Sequence, residues 1–516
     1  MKRIYLILLI LGLGLFPACD DYLETNPTDR VSGPVIFDTA ESAEAAINGV
    51  YRMMYTAGWS QNWAMENMGI TAISLVGSLM GEDHIMMSVG SGWFYFDYAY
   101  DVRGDYVHKS GRAYGTWNLL YTLVSNVNYI IANEATIGGD PAKVKSIVGQ
   151  AYAIRAFAYF NLIQFYQQTY KGNENAPGVP LYTEPTTSES EGKSRGTVQE
   201  VYTQINSDIA TAIDLLDQAK LPQMHPSHID YYVANGFKAR IDLVQERFQE
   251  AADAASQALS KPGLSKVLSV NQLGGFNNAR LGNVLWGLEV TADQTSGWAS
   301  FFSHLDGDGG GYGARAPHAV SNWVYNQMPN SDSRKASWFQ PFIPAASEII
   351  GTSIRSYSQL KFKFQDATTR TGDYILMRAE EMILIRAEAL ARLDRYSEAR
   401  TQLLELGSMR DANYAARLAG FTNAKTYNSN TTAPLTTLMD EILFQRRVEL
   451  WGENSRLFDL QRLKLGFIRT FDGNNHTSRL ATKNTSAGSR EFVSPIPQSE
   501  FDGNPNMGPE DQNPNP

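Results

Sequence analysis

Two stretches of this chain resemble each other, and their pattern restricts the fold more than any other feature. Residues 246–251 read Glu-Arg-Phe-Gln-Glu-Ala, and residues 394–399 read Asp-Arg-Tyr-Ser-Glu-Ala. In both copies an alanine, Ala239 or Ala387, stands nine residues before the aromatic residue, and an apolar helical pattern follows. A small residue there lets two antiparallel helices approach closely, as in tetratricopeptide hairpins with a repeat of about 34 residues. The repeat predicts a mainly α-helical, tetratricopeptide-like scaffold, with two unrelated helical hairpins as the alternative.

Other long segments also have helical periodicity. Residues 142–168 place apolar side chains at helical intervals, and residues 197–216 do the same. Thr197 is a predicted N-cap, and Glu200 three residues later completes a capping box. We expect helical hairpins mainly over residues 112–260 and 373–465.

Two regions have a different composition. Residues 264–366 contain several glycine clusters, scattered aromatic residues and short β-like runs such as 284–290. Residues 58–107 look similar and are unusually aromatic. We expect both regions to be loop-rich and partly irregular, and binding surfaces are commonly built on loops that a rigid scaffold positions.

The N-terminus has the pattern of an export signal. Lys2 and Arg3 precede an apolar run over residues 4–16, which is too short to span a bilayer comfortably. Cys19 follows closely and is the only cysteine, so the mature chain can form no internal disulfide. This position is typical of lipoprotein processing, with cleavage before Cys19 and acylation of its thiol and amine. The alternative is an ordinary cleaved signal with an incidental cysteine.

These patterns predict a simple domain organisation. Residues 1–18 form a signal peptide, residues 19–36 a lipidated tether, and residues 37–516 a single domain. The composition is that of a globular protein, with 43% hydrophobic and 19% charged residues. The net charge of −10 argues against nucleic acid as a partner, because phosphate binding needs clustered Lys and Arg.

Several segments, in order along nearly the whole chain, resemble the SusD/RagB family. The match is weakest over residues 58–107 and 264–366. The matching residues near the start are Cys19 to Leu23, Phe37, Ala43, Ile47, Gly49 and Tyr51, followed by the Ala-x-x-x-Arg-Ala-x-Ala-Tyr-Phe-x-Leu run of 151–162, Gly178 to Leu181, Arg195 to Val198, Tyr202, Ile205 and Asp208. Those near the end are Arg446, Arg447, Glu449, Leu450, Gly452, Glu453, Arg456, Asp459, Leu460, Arg462, Pro495 to Gln498, Glu500, Asn504 to Asn506 and Gln512 to Pro514.

The resemblance implies a tetratricopeptide-like scaffold with a loop-rich ligand surface, held on the extracellular side of the outer membrane by a lipid anchor. Asp20 and Asp21 are similar to the signal that exports Bacteroidetes lipoproteins to the cell surface, or they are a solvated tether. The implied partner is a SusC-type TonB-dependent barrel, and the implied cargo is an oligosaccharide or, as in RagB-like members, an oligopeptide. No enzymatic activity is implied.

Aromatic residues in the two loop-rich regions are the candidate ligand contacts. A sugar ring offers an apolar C–H face and a rim of hydroxyls, so it binds flat aromatic side chains flanked by polar groups. A buried strand is the alternative for residues 93–98. The candidates are Trp59, Trp63, Trp93, Phe94, Tyr95, Tyr98, Asp101 and Arg103 in the first region, and Trp298, Tyr312 and Trp323 in the second.

A group of charged residues near the C-terminus admits two interpretations. Glu449 and Glu453 lie one helical turn apart, as paired catalytic carboxylates of a helical glycosidase would. The surrounding arginines favour ionisation of both carboxylates, whereas a glycosidase needs one of them protonated. We therefore expect a structural ion-pair network. Its predicted members are Arg446, Arg447, Glu449, Glu453, Arg456 and Asp459.

We expect no cofactor. An EF-hand loop that began at Asp306 would place Pro317 where a bidentate glutamate belongs, so only a different type of calcium site stays open as an alternative. His225 and His228 have no further ligand at a metal-binding spacing.

Overall fold

The computed structural model describes residues 35–58, 67–88, 93–100, 111–344, 355–453, 456–478 and 480–514. In chain order the helices are α1 (Ala40–Met53), α2 (Ile70–Leu79), α3 (Tyr95–Ala99), α4 (Gly111–Ala132), α5 (Pro141–Tyr166), α6 (Val198–Ala219), α7 (Tyr231–Val244), α8 (Phe248–Leu259), α9 (Val270–Leu273), α10 (Phe301–Leu305), α11 (Asn322–Gln327), α12 (Ser333–Ser337), α13 (Ala379–Arg392), α14 (Tyr396–Gly407), α15 (Tyr414–Ala419), α16 (Leu438–Glu449), α17 (Arg456–Arg462) and α18 (Gln498–Gly503). The strands are β1 (His84–Met86), β2 (Pro177–Pro180), β3 (Arg195–Thr197), β4 (Val284–Leu288), β5 (His318–Val320), β6 (Tyr374–Arg378), β7 (Phe467–Ile468) and β8 (Asn484–Thr485). Short 3-10 turns lie at Val35–Phe37, Gly297–Ala299, Tyr312–Ala314, Arg490–Phe492 and Pro509–Asp511.

The helical-hairpin scaffold predicted from the repeat is confirmed. The two repeat copies form the hairpins α7–α8 and α13–α14, and α8 packs against α13. Glu246 and Asp394 occupy equivalent turn positions, with φ of 59° and 61°. The buried alanines Ala239 and Ala387 lie on the first helix of each pair. The two hairpins therefore stack as consecutive repeat units that share one apolar core.

Local capping sets several helix boundaries. The Thr197 hydroxyl accepts a hydrogen bond from the Glu200 amide, and the Glu200 carboxylate accepts one from the Thr197 amide, so the predicted capping box begins α6. Asp140 caps α5, where Pro141 occupies the first turn. Thr437 and Asp440 form another capping box at the start of α16.

The strands pair as separate two-stranded antiparallel sheets. β1 pairs with β5, so that His84 lies opposite Val320 and Met86 opposite His318. β4 pairs with β6, so that Leu288 lies opposite Tyr374. The remaining pairs are β2 with β3 and β7 with β8. These short sheets tie the loop-rich parts of the chain to each other and to the helices.

Among the described helices in the two regions that the sequence predicts to be loop-rich, α2 is the longest. α2 falls within residues 58–107, and most of its side chains are buried. Its sequence, Ile-Thr-Ala-Ile-Ser-Leu-Val-Gly-Ser-Leu, contains only small hydroxyl residues and no charged residue on its polar positions, and therefore lacks the strongly polar face of a surface helix. Because the helix is surrounded by protein, periodicity could not reveal it.

No helix in the described ranges is both long and apolar enough to cross a membrane. Five predicted functional residues, Cys19, Trp59, Trp63, Asp101 and Arg103, lie outside the described residues.

Candidate ligand-binding site

Two of the short sheets bring distant loop residues together. Trp93 follows β1 and Tyr312 precedes β5, and because these strands are antiparallel, both residues leave the sheet at the same end. Trp298 follows β4 and Arg370 precedes β6, which are paired in the same manner. The β1–β5 pairing thus brings Trp93 close to Tyr312, and the β4–β6 pairing brings Trp298 close to Arg370.

Three aromatic side chains and one arginine form a surface group, which we call the aromatic platform: Trp93, Trp298, Tyr312 and Arg370. The ring centroid of Tyr312 lies 6.0 Å from that of Trp93, in an edge-to-face arrangement, and 5.5 Å from that of Trp298. Trp93 is 37% exposed and Trp298 is 45% exposed. The Arg370 guanidinium lies 3.7 Å from the centroid of the Trp298 ring. Large aromatic surfaces beside a cation are therefore presented to solvent on one side of the molecule.

The platform rests on buried side chains. The buried His304 ring stacks under Tyr312 at 5.3 Å, and Phe94 meets His304 edge to face at 5.1 Å. The Arg112 guanidinium lies 4.7 Å from the Phe94 ring and pairs with the buried Asp97 carboxylate at 3.1 Å. This layer is fixed by packing and by charge, so it holds Tyr312 in one position.

The loop before Tyr312 folds closely around one carboxylate. Asp306 accepts hydrogen bonds from the amides of Asp308, Gly309 and Phe364. A Cβ at Gly311 would lie 2.5 Å from the Ser303 carbonyl oxygen, so a side chain there would displace the loop. The glycine-rich sequence thus serves close backbone packing. Within the described residues no group of three or more His, Cys, Asp or Glu side chains is arranged to hold a metal ion.

Burial removes three predicted residues from the candidate ligand contacts. Phe94, Tyr95 and Tyr98 are at most 1% exposed, because Tyr95 and Tyr98 lie on the buried side of the short helix α3 and Phe94 is buried directly before it. The Tyr98 hydroxyl and His476 Nδ1 are 2.9 Å apart, and burial raises the pKa of Tyr98 to about 12. Phe94 supports the platform from within through His304, and none of the three buried rings offers a face to a ligand.

Trp323 lies apart from the platform. Its ring meets Phe444 edge to face at 6.1 Å, and the Arg447 guanidinium lies 4.6 Å from its centroid. The described contacts of Trp323 are thus to α16, so grouping it with Trp298 and Tyr312 on sequence proximity does not reflect the structure.

Glu449 is the centre of a buried charge cluster, but its partners come from distant segments. Its carboxylate pairs with Arg334 at 2.9 Å, with Arg378 at 2.7 Å and with Arg410 at 2.8 Å. Glu453 pairs with Arg378 at 2.6 Å and with Lys361 at 2.5 Å. The arginines adjacent in sequence point elsewhere, although the sequence pattern suggested that they surround these glutamates.

Those adjacent arginines hold other carboxylates. Arg446 pairs with Asp459 at 3.2 Å, which joins α16 to α17. Arg447 pairs with Asp83 at 2.5 Å, and Arg456 pairs with Glu82 at 2.8 Å. The pairs of Arg447 with Asp83 and of Arg456 with Glu82 attach the turn before β1 to α16 and α17. All six predicted network residues therefore take part in ion pairs, distributed over three groups.

The electrostatics of the Glu449 cluster disfavour acid–base catalysis. Burial alone would raise the pKa of Glu449, but Arg410, Arg378 and Arg334 hold it well below its usual range. The pKa of Glu453 is likewise lowered, because Arg378 and Lys361 outweigh the effect of burial. Both carboxylates are therefore ionised at neutral pH, whereas a glycosidase needs one protonated acid.

Several residues of these sites could not be found from sequence. Arg370 lies in a polar loop without a distinctive pattern. Nothing in the sequence near Arg334, Arg378 or Arg410 indicates that the fold places them beside Glu449. A usable signal existed only for Asp83 and Glu82, an acidic pair that directly precedes strand β1.

Two family models match the chain. Residues 21–243 match a SusD-like model described as starch-binding and associating with the outer membrane. Residues 324–515 match the model of the SusD family, which includes RagB. Trp298 and Tyr312 lie in residues 244–323, between the two matches.

Individual proteins resemble the chain over nearly its whole length. SusD-like protein P2 of Formosa agariphila is 24% identical, with 99% of each chain covered. The structure of a SusD-like carbohydrate binding protein from Bacteroides vulgatus is 25% identical, with a TM-score of 0.76, covering 92% of this chain and 98% of that one. A laminarin binding SusD-like protein shares the fold at 19% identity, with a TM-score of 0.64, covering 93% of this chain and 100% of that one.

Proposed function

The chain belongs to the SusD/RagB family, and from this premise we propose that it is a cell-surface lipoprotein that binds oligosaccharides and delivers them to a SusC-type TonB-dependent outer-membrane transporter. In this proposal the protein captures and presents cargo, while other proteins carry out any chemistry. The observation that carries the proposal is the aromatic platform.

The platform has the properties that a sugar-binding surface requires. Two tryptophans that are partly exposed, at 37% and 45%, present apolar area on which the C–H face of a pyranose can lie. Tyr312 joins them, and Arg370 supplies a cation with hydrogen-bond donors at the edge. The packed layer of His304 and Phe94 beneath the platform reduces the entropic cost of binding, because the rings are already held in place.

The relatives support a glycan as cargo. One similar structure is that of a carbohydrate binding protein, and another is that of a laminarin binding protein. An oligopeptide is the alternative cargo for a RagB-like member. An extracellular all-helical glycoside hydrolase is disfavoured further by the ionised carboxylates of the Glu449 cluster.

Substitution of the platform tryptophans tests the proposal. A glycan array and a peptide-library pull-down with the wild-type protein first identify the cargo class. In isothermal titration with the best glycan, Trp298→Ala and Trp93→Ala should each weaken binding at least about tenfold, since each removes a stacking surface. Their melting temperatures should change little, because exposed side chains contribute little to the core.

Tyr129→Ala is the matched control. Tyr129 is also 37% exposed, but it lies on α4, where its hydroxyl donates to the Thr186 carbonyl. Its removal should leave glycan affinity unchanged. If the protein binds peptides but no glycans, an oligopeptide replaces the oligosaccharide as its cargo. Release of products from labelled glycans would refute a purely binding role. Full glycan affinity in a Trp93→Ala, Trp298→Ala double variant would show that the platform is not the site.

A further inference from the structure

A second surface feature lies at Trp323. A crevice of about 40 Å³ opens between α11, α16 and the loop over residues 420–437. The half-buried Trp323 ring forms one wall, and Phe444 and Arg447 pack against that ring. Asn428 and Asn430 lie exposed at the rim, and Thr431 is buried among the lining residues. We call this feature the Trp323 crevice.

The charged groups in the crevice wall are already paired. Arg447 donates to the Asp83 carboxylate and to the Thr431 carbonyl. Asp440 accepts hydrogen bonds from the amides of Asn428, Thr436 and Thr437. Arg456 is paired with Glu82. Among its described lining residues, the crevice therefore offers no unpaired charge to a ligand, and an ionic ligand would gain no direct counter-ion from them.

Several neutral polar groups at the crevice are not used by the fold. The Thr431 hydroxyl is buried and has no hydrogen-bond partner in the described part of the chain. Asn428 Oδ1 accepts from the Asn430 amide, and Asn430 Oδ1 accepts from the Thr432 amide and hydroxyl. These bonds fix the orientation of both side chains, and neither Nδ2 group donates to a described residue. A buried hydroxyl without a partner destabilises the fold, so a ligand that supplies a partner recovers that cost.

We propose that the Trp323 crevice is a second carbohydrate subsite, which holds one neutral sugar unit by its hydroxyl-bearing edge. The ring lies at the mouth against Trp323, the two asparagine amides donate to its hydroxyls, and one hydroxyl or hydroxymethyl group enters toward Thr431. The volume fits this mode, because about 40 Å³ accommodates roughly three water-sized groups and not a whole ring. In the described residues no ring contact joins Trp323 to the aromatic platform, so the two sites act separately.

The proposed subsite has only its class of ligand in common with the proposed function. A single titration monitors the Trp323 crevice and the aromatic platform independently. The protein contains 9 tryptophans, and fluorotryptophan labelling gives each a separate fluorine NMR signal. Trp323→Phe and Trp298→Phe identify the two relevant signals by their loss. Glucose, galactose and mannose are then added to about 100 mM, which would fill a millimolar site, with glycerol as a polyol control.

We expect the Trp323 signal to shift saturably with at least one of the three sugars, and not with glycerol. Thr431→Val keeps the shape and removes the hydroxyl, so it should raise the midpoint of that shift about fivefold, as loss of one hydrogen bond does. Asn430→Ala should act in the same direction. Thr431→Val should melt no lower than the wild type, because the lost hydroxyl has no partner.

Three results would overturn the subsite. They are a Trp323 signal that does not move with any sugar, a shift that glycerol reproduces, and a midpoint that neither Thr431→Val nor Asn430→Ala changes. A Trp298 signal that shifts while that of Trp323 stays fixed would support the platform and refute the crevice. The reverse pattern would support the crevice and count against the platform.

Discussion

Buried charges are the most unusual residues in this protein. Arg334, Arg378 and Arg410 are at most 1% exposed, and each contacts more than one carboxylate. Removal of ions from water is costly, so such a cluster adds little net stability, but loss of one partner strands the others. Its more direct consequence is that segments far apart in sequence must come together in one arrangement.

The contribution of the Glu82 charge to the free energy of unfolding can be measured from its dependence on pH. Burial raises the pKa of this carboxyl, but Arg456 and Arg447 outweigh burial and lower it to about 2. Because the folded pKa lies below the unfolded value of 4.5, the stabilisation is fully present above pH 4.5 and is lost as the pH falls toward 2. Glu82→Gln should lower the free energy of unfolding by on the order of 3 kcal/mol at neutral pH, and the difference from the wild type should shrink toward pH 2.

Urea unfolding of both proteins between pH 7 and pH 2 measures this difference. Glu189→Gln removes an exposed carboxyl and should follow the wild type at every pH. A gap between Glu82→Gln and the wild type that stays constant down to pH 2 would mean that packing, and not the charge of Glu82, is responsible.

At the scale of elements, the approach of helices depends on small residues. Gly149 lies in the buried face of α5 where α6 crosses it, and a Cβ there would lie 2.9 Å from Leu216 Cγ and 3.2 Å from Leu215 Cβ. Gly49 is also within a helix, but a Cβ there would meet nothing within 4 Å. The same substitution at the two sites therefore separates helix propensity from interhelical packing.

Gly149→Ala should lower stability by about 1–2 kcal/mol, because forcing α5 and α6 apart outweighs the gain in helix propensity. Gly49→Ala should raise stability by about 0.5–1 kcal/mol, because only the propensity term acts there. Thermal melts of the two variants check both signs. If Gly149→Ala also stabilises the protein, the two helices tolerate a wider separation than their contact in the structure suggests.

Elements with a local signal were predictable, and those defined by long-range contacts were not. The capping box of Thr197 and Glu200 is encoded within four residues, and the repeat at Phe248 and Tyr396 predicts both hairpins. α2 has no such signal because it is buried on nearly all sides and has no charged face. The sequence at Phe94, Tyr95 and Tyr98 is compatible with both a buried core and an exposed binding loop. Only their burial in the structure distinguishes the two.

For the whole molecule, the fold places the aromatic platform on loops beside the stacked helical hairpins. The hairpins share one core, while the β1–β5 and β4–β6 pairs hold the loops that carry the platform. We predict that residues 19–36 tether the domain to the proposed lipid at Cys19. The proposed function then depends on two separable properties, attachment to the membrane and exposure to the outside.

The anchor at Cys19 is proposed from its position after the apolar run, and two variants separate attachment from export. Cys19→Ala should abolish incorporation of an alkynyl fatty acid and release the protein from the outer-membrane fraction, while its melting temperature stays unchanged because Cys19 precedes the predicted domain of residues 37–516. A double Asp20→Ala, Asp21→Ala variant should keep the fatty acid and lose accessibility to protease added to intact cells. Both are measured in cells that lack the partner barrel, since binding to the barrel would retain the protein without a lipid. If Cys19→Ala still sediments with outer membranes in those cells, attachment has another cause.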